Sequence, residues 1–407
     1  MSSAPRTDTV CILGAGPQGL AAALHLLEAD PGMADRLVVL DPSGDWLATW
    51  REHFARLEIG NLRSPVVHHP APDVSTLARH IARHGLPRTG LPYELPTFEA
   101  FTSFCEHLVG DGALPSPTAV RARSVRPVDG RLVVEAGDES MTFDHLIVAA
   151  NPHRRVLPDW VGALLGHFPQ LQHADDVDLR QVERLDGEVV AIVGGGLTAA
   201  HLAQGAADRG AHVELIARRP LTIRPFDTDP GWLGPRFLRD YGTLGDPRER
   251  LTAAATARGG GTIPPWMADR LARLQAQGRI AVREETSVLD ATPGAEGTAC
   301  LRLRGGVDID ADRVWLATGT VPHLGALRCL GDLAADMGQI DGIPVTDELL
   351  RAGPHPVYVM GRLATVQLGP AAGNLWGAQR AASRITRAIT GVDLDPGSTA
   401  YLPLIRE

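Results

Sequence analysis

The strongest constraint on how this chain can fold is that it makes one passage, strand to glycine turn to helix to strand, twice. The first passage starts with the apolar run Val10-Cys-Ile-Leu13, which ends in Gly14-Ala-Gly16-Pro17-Gln-Gly19. Leu20, Ala23, Leu24 and Leu27 then recur at helical spacing. Pro31-Gly32 closes that helix, and Arg36-Leu-Val-Val-Leu40 reads as a second buried strand ending at Asp41. The second passage begins at Val189–Val193, turns through Gly194-Gly-Gly196-Leu-Thr198, and puts Ala199, Leu202, Ala203 and Ala206 on one helical face. It ends with Val213–Ile216 and then Arg218-Arg219. Gly14 and Gly194 are 180 residues apart, so the chain carries two βαβ units and belongs to the α/β class.

Such a turn aims a helix N-terminus, with its free N–H groups and positive dipole end, at a pyrophosphate. Gly14 permits the tight turn, Gly16 lets the backbone approach the phosphates, and Gly19 lets helix and strand pack closely. Asp41 falls 22 residues beyond Gly19, where a carboxylate can accept bonds from ribose hydroxyls. In the second unit Gly194, Gly196 and Thr198 form the turn, and Arg218 and Arg219 stand where the first unit has Asp41. Two guanidinium groups at that place suit a ribose 2′-phosphate. One acidic and one basic ribose end imply two different dinucleotides, FAD in the first unit and NADPH in the second.

Between the units, residues 50–115 are rich in Pro and His and read as an insertion beside the first ligand. Thr97 is placed to cap a helix that runs through Leu108. Val120–Ala150 alternates as strands and ends in the apolar run Leu146–Ala150. Residues 231–266 are polar and rich in Pro and Gly, and read as a mobile or partner-facing insertion. Strands resume near Ile280 and end at Thr318-Gly319. The segment Val357–Arg362, which contains Gly361, and a closing helix from Gly373 to Ile389 return to the first unit. The expected division is a three-layer FAD domain at 1–165, an inserted NADPH domain at 166–330 and a C-terminal return at 331–407, each dinucleotide-binding domain being Rossmann-like.

Composition narrows the chemistry. All 39 basic residues are Arg, so lysine Schiff-base and lysine general-base mechanisms are excluded. The net charge of -9 and the 5% aromatic content do not favour nucleic acid as a partner. The four cysteines are Cys11, Cys105, Cys300 and Cys329; none forms a C-x-x-C pair, which leaves no zinc ribbon and no vicinal redox dithiol. His68 and His69 are adjacent, but no nearby Cys or carboxylate completes a metal set, so no metal is expected. No run reaches the ~18 apolar residues of a membrane helix. The chain reads as cytoplasmic, with the choice between monomer and homo-oligomer left open.

The motifs resemble those of the flavin-dependent monooxygenases, and among them the N-hydroxylating branch that acts on lysine and ornithine. Gly14-x-Gly16-Pro17-x-x-Leu20 is similar to that branch's FAD fingerprint. Asp41, Gly44-x-Trp46 and Trp50-Arg51 are similar to a stretch lying along the flavin, and Asp312-x-x-x-Leu316-Ala317-Thr318-Gly319 resembles the branch's strand-end motif. Within Leu57-Glu-Ile-Gly-Asn-Leu-Arg63-Ser, the resemblance puts Arg63 where the family holds a substrate carboxylate with lysine, and Glu58 where it has a glutamine near the flavin's reactive face. Asp73-Val-Ser-Thr-Leu77-Ala resembles the segment that follows, and His173 resembles the histidine of a linker signature, with an ordinary linker residue as the equal alternative. Asn374, in the returning segment, is a candidate at the flavin or the substrate, or a helix cap. The chain departs from the family at Asn151, Thr198, His201 and Thr320, and the family's amino-acid-binding Asn-Glu pair is not visible after Arg219.

The resemblance implies an enzyme in which NADPH reduces FAD, O2 gives a C4a-hydroperoxyflavin, and one oxygen atom passes to a nucleophilic nitrogen of a small amine-like or amino-acid-like substrate. No ionisable catalytic residue is then required. Rival readings are an S-oxygenating or Baeyer-Villiger monooxygenase, an NADPH oxidase or reductase, and a non-catalytic flavin-binding regulator. A disulfide reductase shares the architecture but needs the cysteine pair this chain lacks.

Overall fold

The computed structural model describes residues 7–89, 94–294 and 297–394. Its first parallel sheet is centred on β1 (Val10–Leu13), flanked by β2 (Leu37–Asp41), with β3 (Thr118–Ala119) beyond it and β4 (His145–Val148) on the other side. Every residue of β1 is buried, as a strand paired on both sides and covered on both faces must be. Helix α1 (Pro17–Ala29) starts with Pro17, whose missing N–H costs nothing in the first turn, and packs Leu20, Ala23 and Leu26 into the core. The opposite face of the sheet is covered by an antiparallel meander, Ala122–Val128, Arg131–Ala136 and Glu139–Phe143, whose Leu132, Val134 and Phe143 meet Leu13, Leu146 and Val148.

Residues 50–115 contribute helices that join this core, including α2 (Phe98–Gly110), where the Thr97 hydroxyl accepts from the Ala100 N–H at 3.1 Å. Phe101, Phe104 and Cys105 of α2 are buried.

The second sheet has the order β8 (Ile280–Arg283), β7 (His212–Ile216), β6 (Val189–Val193), β9 (Arg313–Leu316), β5 (Leu171–His173), all parallel. It repeats the layers of the first. Helix α3 (Leu197–Asp208) covers one face, and the meander Val288–Pro293, Ala299–Leu303, Asp308–Ala311 covers the other. Two short antiparallel strands, His153–Arg155 and Thr320–Pro322, carry the chain into this unit and back out.

After that exit, β10 (Val357–Val359) pairs with the free edge of β4 and completes the first sheet. The last described helix, Leu375–Thr390, buries Ala378, Ala381, Ala382 and Ile385 in the same core as α1.

The region 231–266, read from the sequence as a mobile or partner-facing insertion, carries regular structure. It holds α4 (Pro235–Thr243) and α5 (Pro247–Arg258), docked on the C-terminal return. The Tyr241 hydroxyl donates to the Thr365 carbonyl at 2.6 Å and Arg258 to the Pro370 carbonyl at 2.8 Å. Its prolines and glycines are helix punctuation: Pro235 and Pro247 open the two helices, Asp246 caps the second, and Gly259 ends it at φ 63°. Among the described residues no helix is long and apolar enough to cross a membrane.

Candidate functional site

The first glycine turn is built for backbone approach. Gly14 has φ +106°, and a Cβ on Gly19 would fall 2.0 Å from the Gly14 carbonyl oxygen, so only glycine lets α1 start this close to β1. A Cβ on Gly16, in contrast, would meet nothing within 4 Å, which leaves the helix N-terminus open on that side. Asp41 ends β2 and braces the turn: one carboxylate oxygen accepts from the Ala15 N–H at 2.9 Å, the other from the Ser43 N–H and hydroxyl at 2.9 and 2.6 Å. The oxygen bonded to Ala15 keeps acceptor capacity for a ribose hydroxyl. Trp50 stands on a cavity wall against Phe54 and Phe101. Trp46 is instead a core residue, 2% exposed, with its indole N–H on the Pro115 carbonyl at 3.2 Å; it is placed away from the cavity.

The second turn is closed in a similar way. A Cβ on Gly194 would lie 2.3 Å from the Ala317 carbonyl oxygen at the end of β9. Gly196 caps α3 and Thr198 sits in its first turn, both on the cavity. Arg218 and Arg219 follow β7, both exposed, both on the cavity, and neither with a hydrogen bond or ion pair among the described residues.

One continuous cavity of about 2090 Å³ joins these two turns. It touches Pro17 and Gln18 at the first and Gly194–Thr198 at the second, and is walled between them by the ends of β4, β9 and β10. Thr318 and Gly319 lie there, the Thr318 hydroxyl donating to the Val156 carbonyl. Gly361, at φ +64°, faces the Gln18 side chain. Two buried polar atoms on the wall lack any protein partner: the Gln18 side-chain oxygen and the Trp376 indole nitrogen, an acceptor and a donor left for something else.

Arg362 had no role in the sequence reading, although it follows Gly361 directly. Its Nε donates to the Asn151 side-chain oxygen at 3.3 Å, and its two terminal nitrogens donate to the Thr320 carbonyl and hydroxyl, each at 2.9 Å. Two of the positions that depart from the family pattern are thus held together by one side chain, across three segments of the chain. Burial lowers the pKa of this guanidinium.

The three substrate-side candidates do not converge. Arg63 reaches the cavity wall, but four of its five N–H groups are engaged, with the carbonyls of Arg224, Pro225 and Thr262 at 2.7, 3.0 and 3.1 Å and the Thr262 hydroxyl at 2.8 Å. It staples the insertion to the paired segments Thr222–Ile223 and Thr262–Ile263 of the second unit. Glu58 does not line the cavity; its carboxylate grips Arg209 in a two-bonded pair, 2.7 and 3.2 Å, just beyond the end of α3. Asn374 does line it. It is the N-terminal flanking residue of the closing helix without a side-chain cap bond, and its amide donates to Asp227 at 3.1 Å. Asp227 is also paired with Arg258 at 2.9 Å.

Other polar candidates have local explanations. His173 is buried on β5, and its Nδ1 accepts from the Asp175 N–H at 3.1 Å. The contact with His173, first among several, holds the Asp175 carboxyl down at about 2. His68 borders the cavity and His69 bonds the Val74 carbonyl at 3.1 Å; burial lowers both, to about 3 and about 4. His201 is buried in α3 with its pKa lowered to about 4, again by burial first. No cluster able to hold a metal exists among the described residues, and no thiol borders the cavity.

These features define a class before they define a member. Residues 118–231 match the profile of the family described as pyridine nucleotide-disulphide oxidoreductase. No curated protein is similar to the chain at a significant level. Among solved structures, the ornithine N-hydroxylase of Kutzneria sp. 744, with reduced FAD, NADP+ and L-ornithine, superposes with a TM-score of 0.76 at 18% identity, covering 94% of this chain and 99% of that one. The FAD-bound cadaverine monooxygenase of the desferrioxamine pathway in Erwinia amylovora has a TM-score of 0.76 at 15% identity, covering 96% of each chain. A bacillithiol disulfide reductase from Bacillus cereus reaches 0.60 at 16% identity, with 94% and 99% covered. At these identities the likeness is one of fold: two dinucleotide-binding units, the second inserted into the first.

Proposed function

We propose that this chain is an FAD- and NADPH-dependent monooxygenase that transfers one oxygen atom from O2 to a nucleophilic nitrogen of a small amine or amino-acid-like substrate. The observation that carries the reading is the cavity running from Pro17 and Gln18 of the first glycine turn to Gly194–Thr198, Arg218 and Arg219 of the second, with Asp41 bracing the first turn behind the cavity wall. The residues present fit the two cofactors. The open side of Gly16 and the N-terminus of α1 suit the FAD pyrophosphate, with Asp41 beside the ribose. The unpartnered Gln18 oxygen and Trp376 indole N–H offer an acceptor and a donor to a bound polar group.

FAD, when bound, supplies the redox and oxygen chemistry. What the chain contributes is placement. Gly194, Gly196 and Thr198 receive the nicotinamide dinucleotide's phosphates, and Arg218 and Arg219 receive the 2′-phosphate that NADH lacks. Arg362, Asn151 and Thr320 fix the ends of the two sheets against each other where the ligands would meet. Helix α5, through Leu251, Thr252, Ala254, Ala255 and Arg258, shields one side of the cavity from water, which an oxygen transfer needs if reduced cofactor is not to be wasted as peroxide.

Nitrogen is placed first as acceptor because the ornithine and cadaverine enzymes share this fold along nearly the whole chain. The disulfide-reductase reading has the weaker structural likeness and meets a cavity that no cysteine borders. The test is to follow NADPH and NADH consumption and peroxide release in air, with and without small amines, diamines and basic amino acids, while looking for products heavier by one oxygen. A preference for NADPH and an oxygenated amine support the reading. Equal use of both nucleotides, or peroxide alone with every amine, removes it.

A further inference from the structure

The glycine run Gly259-Gly260-Gly261 lies opposite the second glycine turn, and the six glycines of the two segments border the same cavity. A Cβ on Gly261 would fall 2.5 Å from the Gly196 Cα and 2.9 Å from its nitrogen. The end of α5 is therefore the far wall of the nucleotide site. Arg219 lies against that wall: a Cβ on Gly260 would fall 2.0 Å from its Nη2, 3.0 Å from Cζ and 3.3 Å from Nη1. The guanidinium has no hydrogen bond or ion pair among the described residues to fix it. Its place is set by the space above Gly260 and by the nearby C-terminal end of α5, where a cation is favoured.

We infer that Gly260 determines nucleotide selectivity: by having no side chain it gives Arg219 the place from which the guanidinium meets a ribose 2′-phosphate. The inference rests on the assignment of Arg218 and Arg219 to that phosphate. The group a methyl at 260 would displace is the tip of a flexible side chain, so Gly260→Ala moves Arg219, and at φ +93° it also strains the local backbone. Strain has its own control. Gly260 is at φ +93° and Gly259 at φ +63°, but a Cβ on Gly259 finds nothing nearer than the Thr256 oxygen at 3.8 Å. Gly259→Ala thus imposes left-handed strain without touching Arg219.

The experiment is calorimetric titration of the FAD-loaded protein with NADP+ and with NAD+, for the parent, Arg219→Ala, Gly259→Ala, Gly260→Ala and the Gly260→Ala/Arg219→Ala double variant, with a thermal melt of each. Arg219→Ala is expected to lower NADP+ affinity about tenfold and to change NAD+ affinity by less than about threefold, the scale of one charge-assisted pair. Gly260→Ala is expected to reproduce that pattern, Gly259→Ala to keep the parent ratio, and the double variant to match Arg219→Ala, because two changes acting through one group do not add. If Arg219→Ala shifts the ratio and Gly260→Ala does not, or if the two effects add, the role of Gly260 is overturned and the nucleotide assignment stands. If Gly260→Ala melts far below Gly259→Ala and the double variant restores it, Gly260 is structural and its selectivity role falls. If Arg219→Ala leaves the ratio unchanged, the nucleotide assignment itself fails and takes the inference with it.

Discussion

At Arg63, one guanidinium satisfies three carbonyls and a hydroxyl at a neighbouring pair of short parallel strands. Arg63→Ala is expected to cost about 2 kcal/mol in stability, the scale of losing hydrogen bonds to a charged group, and a thermal or urea melt reads it directly. Arg63→Lys should recover little, since an ammonium cannot span four acceptors set out for a planar fork. Glu58 predicts the reverse. Its pair with Arg209 is exposed, so Glu58→Ala should change stability by no more than about 1 kcal/mol and leave amine-dependent kinetics unaltered. The places of the glycines, Asp41 and the paired arginines were legible because each falls at a fixed position of a βαβ unit. The jobs of Arg63 and Glu58 were not, because which long side chain faces a cavity and which faces a neighbouring element depends on tertiary packing that spacing does not encode. Arg362 was hidden for the same reason: its partners, Asn151 and Thr320, are far from it in sequence.

Helices α2 and α5 show how far local chemistry can be read. Thr97 was identifiable as a cap because a hydroxyl there precedes an apolar periodic run, and Thr97→Ala should destabilise the protein by about 1 kcal/mol. Asp246 does the same for α5, accepting from the Arg248 N–H at 2.9 Å. Asp246→Ala should loosen α5 specifically, seen as faster amide exchange over residues 247–258 with little change in the melt of the parallel sheets. The sequence does not reveal α5 because it buries only Ala254 and has almost no apolar periodicity. Its docking comes from polar bonds: Arg250 donates to the Val366 carbonyl at 3.4 Å, and Arg258 reaches the Pro370 carbonyl. A hydrophobic-pattern argument is blind to an element held that way.

For the molecule as a whole, six histidines have pKa values lowered chiefly by burial: His25, His53, His69 and His201 to about 4, His68 to about 3, and His80 in the same direction. In the unfolded chain each titrates near its ordinary value of about 6.5. Between these limits the unfolded state holds more protons, so stability is full above about pH 6.5 and falls as pH drops toward 4. Each of the first five contributes up to about 1.4 kcal/mol per pH unit in that window. The expected observation is a midpoint in urea that declines steeply from pH 6.5 to 4.5 and changes little from pH 7 to 8; a flat profile across the acid window would show that these histidines are not held neutral. Asp175 acts lower, its contribution being lost only as pH falls from about 4 toward 2.

The pairing of β10 with β4 also has a consequence in time. On a ribosome that adds about 5–20 residues per second, roughly 200 residues must follow β4 before its partner is made. For tens of seconds the nascent first sheet therefore has a bare edge, and the apolar side of α1 lacks the closing helix that covers it. The intervening unit, whose own strands all lie between 171 and 316, can finish folding within that interval. Birth order thus runs inside out: the guest unit matures first, and its host closes around it afterwards.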